Sequence, residues 1–405
     1  MMRPSPTTPV GHAAKYSGMT CQPQRSNAQT GFTLIELLVA MVAGVLVAST
    51  TYFIGAASAR HFHEQERVAF SQTALRTAMM QLERDLAAAG SFGVPSSAFV
   101  QRCLPDLPTP LQAVQIYEDG DVEGIASIPN AGENGVSADR VVITGNFMTS
   151  DSYLAIGLNA TGTELVLNTN TMGFRRSFGF PFDPARFASV FRPGRMLHIE
   201  ALDGNHFFVP ISGVSPVTFS VQLGTPLPVT GGCPVGQLSG ASVAPLAQIE
   251  WLVRNAAGLP GGVVDNLAAR NAGAAEAMGL AESYLVRQER RFDDGSVIND
   301  SIRVVAENVA DFNLTFFAMQ NLGGLRQRVL VDAGNFLMHA PNLISVDVTL
   351  SVHTPDQDPR FTFVPRAPGE PLTRFRANPA LPGAARVRTL RQDVFLSNIG
   401  PAGGV

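Results

Sequence analysis

The sequence predicts an α+β fold, with one long N-terminal helix, half membrane-type and half amphipathic, packed on an antiparallel β-rich domain. Three observations predict it. From Phe32 to Ala59 the chain carries a single charge, Glu36, and no proline occurs between Pro23 and Pro95. An apolar stripe at helical spacing then continues to Gly90. Beyond Gly90, short β-rich runs are separated by turn residues, in keeping with 38 Gly and 28 Pro in 405 residues.

Residues 1–31 hold Arg3, Lys15 and Arg25 and no acidic residue. A basic, acid-free start followed by an apolar run is the pattern of a targeting segment. A start at Met1 or at Met19 leaves Arg25 in this leader. After it, 26 basic residues face 33 acidic ones, within a whole-chain net charge of −4. Hydrophobic residues make up 45% and charged residues 15%. That is too apolar for a disordered chain, and it lacks the basic excess of a nucleic-acid binder.

The stretch Phe32–Ala59 is long enough, at about 1.5 Å per residue, to cross a hydrocarbon core of about 30 Å. It is too long for the apolar core of a secretory signal. The basic flank should stay cytoplasmic, which puts everything after about residue 60 across the membrane. Val68, Leu75, Met79, Leu82 and Leu86 then form one apolar face, while Glu64, Arg67, Arg76, Glu83, Arg84 and Asp85 mark the polar faces. Gly90 is the expected stop. The division is a leader 1–31, a helix 32–89 with 32–59 transmembrane, and a periplasmic β-rich domain 90–405.

Glu36 is the anomaly. A carboxylate in the bilayer costs roughly 2.5–3.5 kcal/mol on insertion scales, so this one awaits a partner. Gly31-Phe32-Thr33-Leu34-Ile35-Glu36 resembles the type IV prepilin cleavage motif residue for residue. The resemblance implies that a prepilin peptidase cuts between Gly31 and Phe32 and N-methylates Phe32. It also implies that Glu36 pairs with the N-terminal amine of a neighbouring subunit during assembly. Many major pilins carry a helix-kinking proline late in the membrane segment; here Thr50-Thr51-Tyr52-Phe53-Ile54 has none, leaving Gly44, Gly55 and the threonines as the points of weakness.

In the domain, strands are expected at 140–144, 164–167, 196–201, 207–211, 218–223, 249–254, 283–287, 311–317 and 343–352. Asp203-Gly204-Asn205 reads as a hairpin turn. Val346, Val348, Leu350 and Val352 alternate with polar residues, as in a half-buried antiparallel strand. Residues 256–281 read as a helix or a loop insertion. Three patches resemble the PilW family of minor pilins: 86–93 at the helix end, Ala138-Asp139-Arg140-Val141-Val142-Ile143 as its first core strand, and 304–312, with Asn308 where that family usually has Gly. The tail from Val394-Phe395 to Asn398 is similar to its last strand.

Catalytic chemistry is not indicated. There is no HExxH, paired CxxC, P-loop or GxSxG. His61 and His63, two apart on a helix, face different sides. Asp119, Asp121 and Glu123, followed by Gly124, resemble the first half of a calcium loop, but Asn130 stands where a bidentate Glu belongs, so a plain acidic turn is the reading and no metal is expected. Trp251 reads as core. Cys103 and Cys233 are the cysteines beyond the leader; an exported domain makes one disulfide between them plausible, and spacing leaves the pairing open.

The expectation is a non-enzymatic minor pilin without cofactor, held in the inner membrane as a single-pass protein and then moved into the pilus. Its expected partners are prepilin peptidase, other minor pilins and the major pilin, the inner-membrane assembly platform and a tip adhesin; no nucleic acid is expected. The alternative is a minor pseudopilin of a type II secretion system, whose N-terminal signals are the same. A tethered periplasmic enzyme would need a convergent polar site, which the sequence does not display.

Overall fold

The computed structural model describes residues 32–93, 111–118, 128–228, 238–271, 283–332, 336–367 and 370–399. They fall into two compact units, one ending at His63 and one beginning at Glu64. Helix α1 (Leu34–Ala88) contributes to both.

In the first unit α1 is apolar on every side and uncovered. The span Leu34–Ala59 has 26 residues and a mean hydropathy of 2.2, and none of it is buried. At 1.5 Å per residue it reaches about 39 Å, enough to cross a bilayer.

In the second unit α1 becomes amphipathic. Leu75, Ala78, Met79, Leu82 and Leu86 recur at helical spacing and are all buried, each 4% exposed or less. The sheets that receive them are antiparallel throughout their named pairs. The first contains β1 (Val114–Tyr117), β2 (Arg140–Gly145), β3 (Tyr153–Leu158), β4 (Glu164–Leu167), β5 (Met196–Glu200), β6 (His206–Ser215), β7 (Ser220–Leu223), β8 (Ser242–Arg254), β9 (Tyr284–Arg290) and β10 (Arg303–Glu307). The second runs in the order β12 (Leu325–Val331), β11 (Val309–Leu322), β13 (Leu343–His353), β15 (Ala385–Phe395), β14 (Arg374–Phe375). Short helices α2 (Ala131–Asn134), α3 (Met172–Phe178), α4 (Pro184–Val190), α5 (Gly261–Asn271) and α6 (Phe336–His339) lie between strands.

Strand β8 is the spine of the larger sheet. Its first half pairs with β3 and β5, and its second half with β2 and β9. Each half serves a different core. One core joins the α1 stripe to Val141, Ile249, Trp251, Phe312, Val346, Val348 and Leu350. The other gathers Tyr153, Phe174, Phe178, Phe187, Phe191 and Leu197 under α3 and α4. The aromatic rings there are in mutual contact; Phe174 and Phe178 have centroids 4.8 Å apart. Both cores lie wholly within the second unit.

The α+β class holds, as do all nine expected strands, most of them longer than expected. Gly204 sits in the β5–β6 turn with φ +79°. Val346, Val348 and Leu350 are fully buried on β13, and Trp251 is core. Several expectations need correcting. The sheet is two sheets. Strands β1, β3, β10, β12 and β14 were not anticipated, and only the end of β15 was. Residues 256–281, read as a helix or a loop insertion, do hold a helix, α5, preceded by a 3-10 turn (Ala256–Gly258). Most consequentially, Asp85 is not on a polar face: it is 2% exposed.

Candidate functional site

The N-terminus of α1 is a closed hydrogen-bonded unit. The Thr33 backbone N–H donates to Glu36 Oε2 at 2.9 Å, and the Thr33 hydroxyl donates to the same oxygen at 2.8 Å. In return the Glu36 N–H approaches Thr33 Oγ1 at 3.4 Å, and the Leu37 N–H donates to the Thr33 carbonyl at 3.2 Å. This is a capping box, in which a Thr and a Glu three residues on satisfy each other's backbone donors. The signal is legible in the sequence as Thr-x-x-Glu ahead of an apolar run, yet sequence reasoning gave Thr33 no role. The carboxylate also lies in the first turn, at the positive end of the helix dipole.

Around this polar knot the surface is apolar and open. Phe32 is 88% exposed and Leu34 83%. Further along, the hydroxyls of Thr50 and Thr51 donate to the carbonyls of Leu46 and Val47 at 2.7 and 2.8 Å, and Ser49 bonds back to Val45 in the same way. These three hydroxyls are thus satisfied within the helix, as a bilayer requires. The helix runs unbroken through Gly44 and Gly55, where an added Cβ would meet nothing.

The other end of α1 is locked to the β domain by polar contacts. Asp85 Oδ2 accepts from Arg287 Nε at 2.6 Å and from the Trp251 indole N–H at 3.1 Å. Asn398 Nδ2 donates to the Ala87 carbonyl at 2.7 Å, covering one of the orphan acceptors at the helix end. Gly90, at φ +77°, turns the chain out of the helix, and its N–H donates to the Thr144 carbonyl at 2.8 Å. A Cβ at Gly145 would stand 2.7 Å from the Ala88 carbonyl, so β2 abuts the helix end only with glycine there.

Beyond that turn, the Phe92 carbonyl lies 2.7 Å from His198 Nδ1, and His198 Nε2 lies 2.9 Å from His206 Nδ1. A carbonyl only accepts, so His198 carries its proton on Nδ1, and His206 donates to Nε2. Burial lowers the His198 pKa below its ordinary value.

Of the residues singled out from sequence, Phe32 and Glu36 are brought into one turn. Gly31, Cys103, Cys233, Asp119, Asp121 and Glu123 lie outside the described residues, as do the side chains of His61 and His63.

Residues 26–52 match the prokaryotic N-terminal methylation motif. No curated protein and no solved structure matches the chain. The motif match, with the uncovered apolar helix behind it, supports a pilin-type protein that is anchored in a membrane, processed by a prepilin peptidase and assembled with other pilus components.

Proposed function

We propose that the chain is a PilW-like minor pilin of a type IV pilus. Prepilin peptidase cleaves between Gly31 and Phe32 and methylates the new Phe32 amine. The inner membrane then holds the protein by residues 32–59, with residues 90–405 in the periplasm, until the assembly platform extracts it. The protein does no chemistry of its own. Its large β domain supplies contacts with other minor pilins, the major pilin or a tip adhesin, and it primes or caps the filament.

The observation that carries this reading is the polar knot at the head of an otherwise apolar helix. Glu36 is held by donors from Thr33 in the single chain, which lowers the cost of placing a carboxylate in the bilayer. A methylated amine from a neighbouring subunit offers a full positive charge instead of two neutral donors. In low dielectric that exchange is favourable because cation and anion offset each other's desolvation.

Intact-mass and N-terminal peptide analysis of the protein from its host membranes tests the reading. The expected species begins at N-methylated Phe32. A species that retains residues before Phe32, or one cut after Ala59, refutes it. Gly31→Ala is expected to slow leader removal at least tenfold in a membrane cleavage assay, since the resemblance assigns the scissile bond to that residue.

A further inference from the structure

The acidic net charge conceals a local reversal. Of the 26 arginines after residue 31, seven fall in residues 360–391, where Glu370 is the one acidic residue; the other 19 face 32 acidic residues. Three of the seven have acidic partners elsewhere: Arg376 with Glu133 at 2.7 Å, Arg391 with Asp347, and Arg366 with Asp311 at 3.9 Å. Arg360, Arg374, Arg386 and Arg388 remain. Among the described residues, the acidic group within ion-pair reach of these four is Asp358, 3.5 Å from Arg386.

The placement of two of them is unusual. Arg374 on β14 and Arg386 on β15 are direct register partners. Like charges directly opposite on paired strands repel, and a sheet ordinarily avoids them. Here both guanidiniums also converge on one ring: Arg374 Cζ is 4.5 Å and Arg386 Cζ 5.6 Å from the Phe361 centroid. The ring and the Thr362 carbonyl, which accepts from Arg374 Nη1, restrict the guanidiniums before any ligand arrives. Arg360 adjoins Phe361, and Arg388 follows two residues after Arg386; both are exposed. Val364 and Leu381, 56% and 51% exposed, lie on loops of the same segment.

We propose that Arg374 and Arg386 form a binding site for a phosphate ester, free or carried by a lipid headgroup. A phosphate suits the pair better than a carboxylate, because its larger charge and additional oxygens accept two guanidinium forks at once. Bound there, it converts a repulsive cross-strand pair into two attractive ones. Arg360 and Arg388 add positive charge at the edges, and Val364 and Leu381 supply apolar contact for the chains of a lipid.

The test uses the full chain in micelles of an uncharged detergent at low salt. Glycerol 1-phosphate is titrated by calorimetry. Short-chain phosphatidylglycerol, and phosphatidylcholine in parallel, are read by the shift in melting temperature. Binding of glycerol 1-phosphate that weakens about tenfold or more in Arg386→Ala and in Arg374→Ala, but not in Arg326→Ala on β12, supports the site. A further rise in melting temperature with phosphatidylglycerol alone assigns the lipid source; no rise with either lipid assigns the free ester. Because Arg374 also holds Thr362, Arg388→Ala, which disturbs no described side-chain contact, serves as a second probe and should weaken binding about twofold to fivefold. The proposal is overturned if no phosphate source binds, if binding survives Arg374→Ala and Arg386→Ala undiminished, or if a thymidine oligonucleotide binds at these arginines while neither phosphate source does.

Discussion

Asn308 shows how a single backbone angle constrains the sequence. It sits between β10 and β11 with φ +57°, a left-handed conformation open to glycine and tolerated by asparagine. Its carbonyl accepts from the His353 N–H at 2.8 Å, which fixes that conformation in the sheet. Asn308→Gly should therefore leave stability within about 0.5 kcal/mol of the parent, whereas a β-branched Asn308→Val should cost about 1–2 kcal/mol in urea denaturation. His353 itself titrates in a sealed site. Its Nδ1 donates to the Thr354 carbonyl, and its Nε2 is buried without a partner. Burial pulls its pKa down from 6.5 to about 4. A depressed histidine contributes stability above its unfolded pKa and loses it as pH falls from about 6.5 towards 4, by roughly 3 kcal/mol in all. Asp311 has the opposite sign. Burial pushes it up to about 6, so its ionisation lowers stability as pH rises from about 4 to 6. Asp311→Asn is expected to stabilise the protein at pH 7 by about 1–2 kcal/mol and to do nothing at pH 3, and His353→Leu to flatten the acid limb. Urea midpoints across that range, measured on each variant separately, decide both, because the two effects partly cancel in the parent.

At the scale of the element, α1 is legible in the sequence almost to the residue, because its signals are long and redundant: an apolar run with a single charge, a stripe at helical spacing and a glycine stop. Strands were legible where one face is buried and the other wet, as on β13. Strand β12 was not, since Leu325, Arg326, Gln327 and Arg328 are exposed in succession at the sheet edge and leave no alternation to detect. Strand β15 hides for a related reason, its arginines interrupting the apolar face. Asp85 was misread because a helical wheel sorts residues by chemistry, whereas the deciding fact is a partly buried arginine and an indole N–H brought from β9 and β8, more than 160 positions away. The joint between Phe92 and β5 was equally invisible. Protonating His198 would set two N–H groups against each other unless His206 reverses its tautomer. Because burial holds His198 below the ordinary histidine range, acidification beyond that range should loosen the turn at Gly90–Gly93, read as faster cleavage there in limited proteolysis, and His206→Phe should remove that pH dependence.

For the whole molecule, two carboxylates on one helix separate assembly from folding. Glu36 stands on an uncovered surface, and its carboxylate is hydrogen-bonded to Thr33. Its replacement removes a cap worth about 1 kcal/mol and leaves the β domain, with both its cores, unchanged. Asp85 is buried against Arg287, itself 13% exposed, and removing it strands that charge in the interior at about 3–5 kcal/mol, a large share of a domain's usual stability. The two variants should therefore fail in different compartments. Glu36→Ala is expected to be processed, to melt at the parent temperature and to accumulate in the inner membrane, while its amount in sheared filaments falls at least tenfold. Asp85→Ala is expected to be scarce in both fractions, because the misfolded domain is degraded before assembly. Quantitative immunoblots of membrane and filament fractions, with a melting curve for each purified variant, read all four quantities. Equal depletion of Glu36→Ala from both fractions would make its carboxylate a stability determinant, and the assembly role assigned to it would fall.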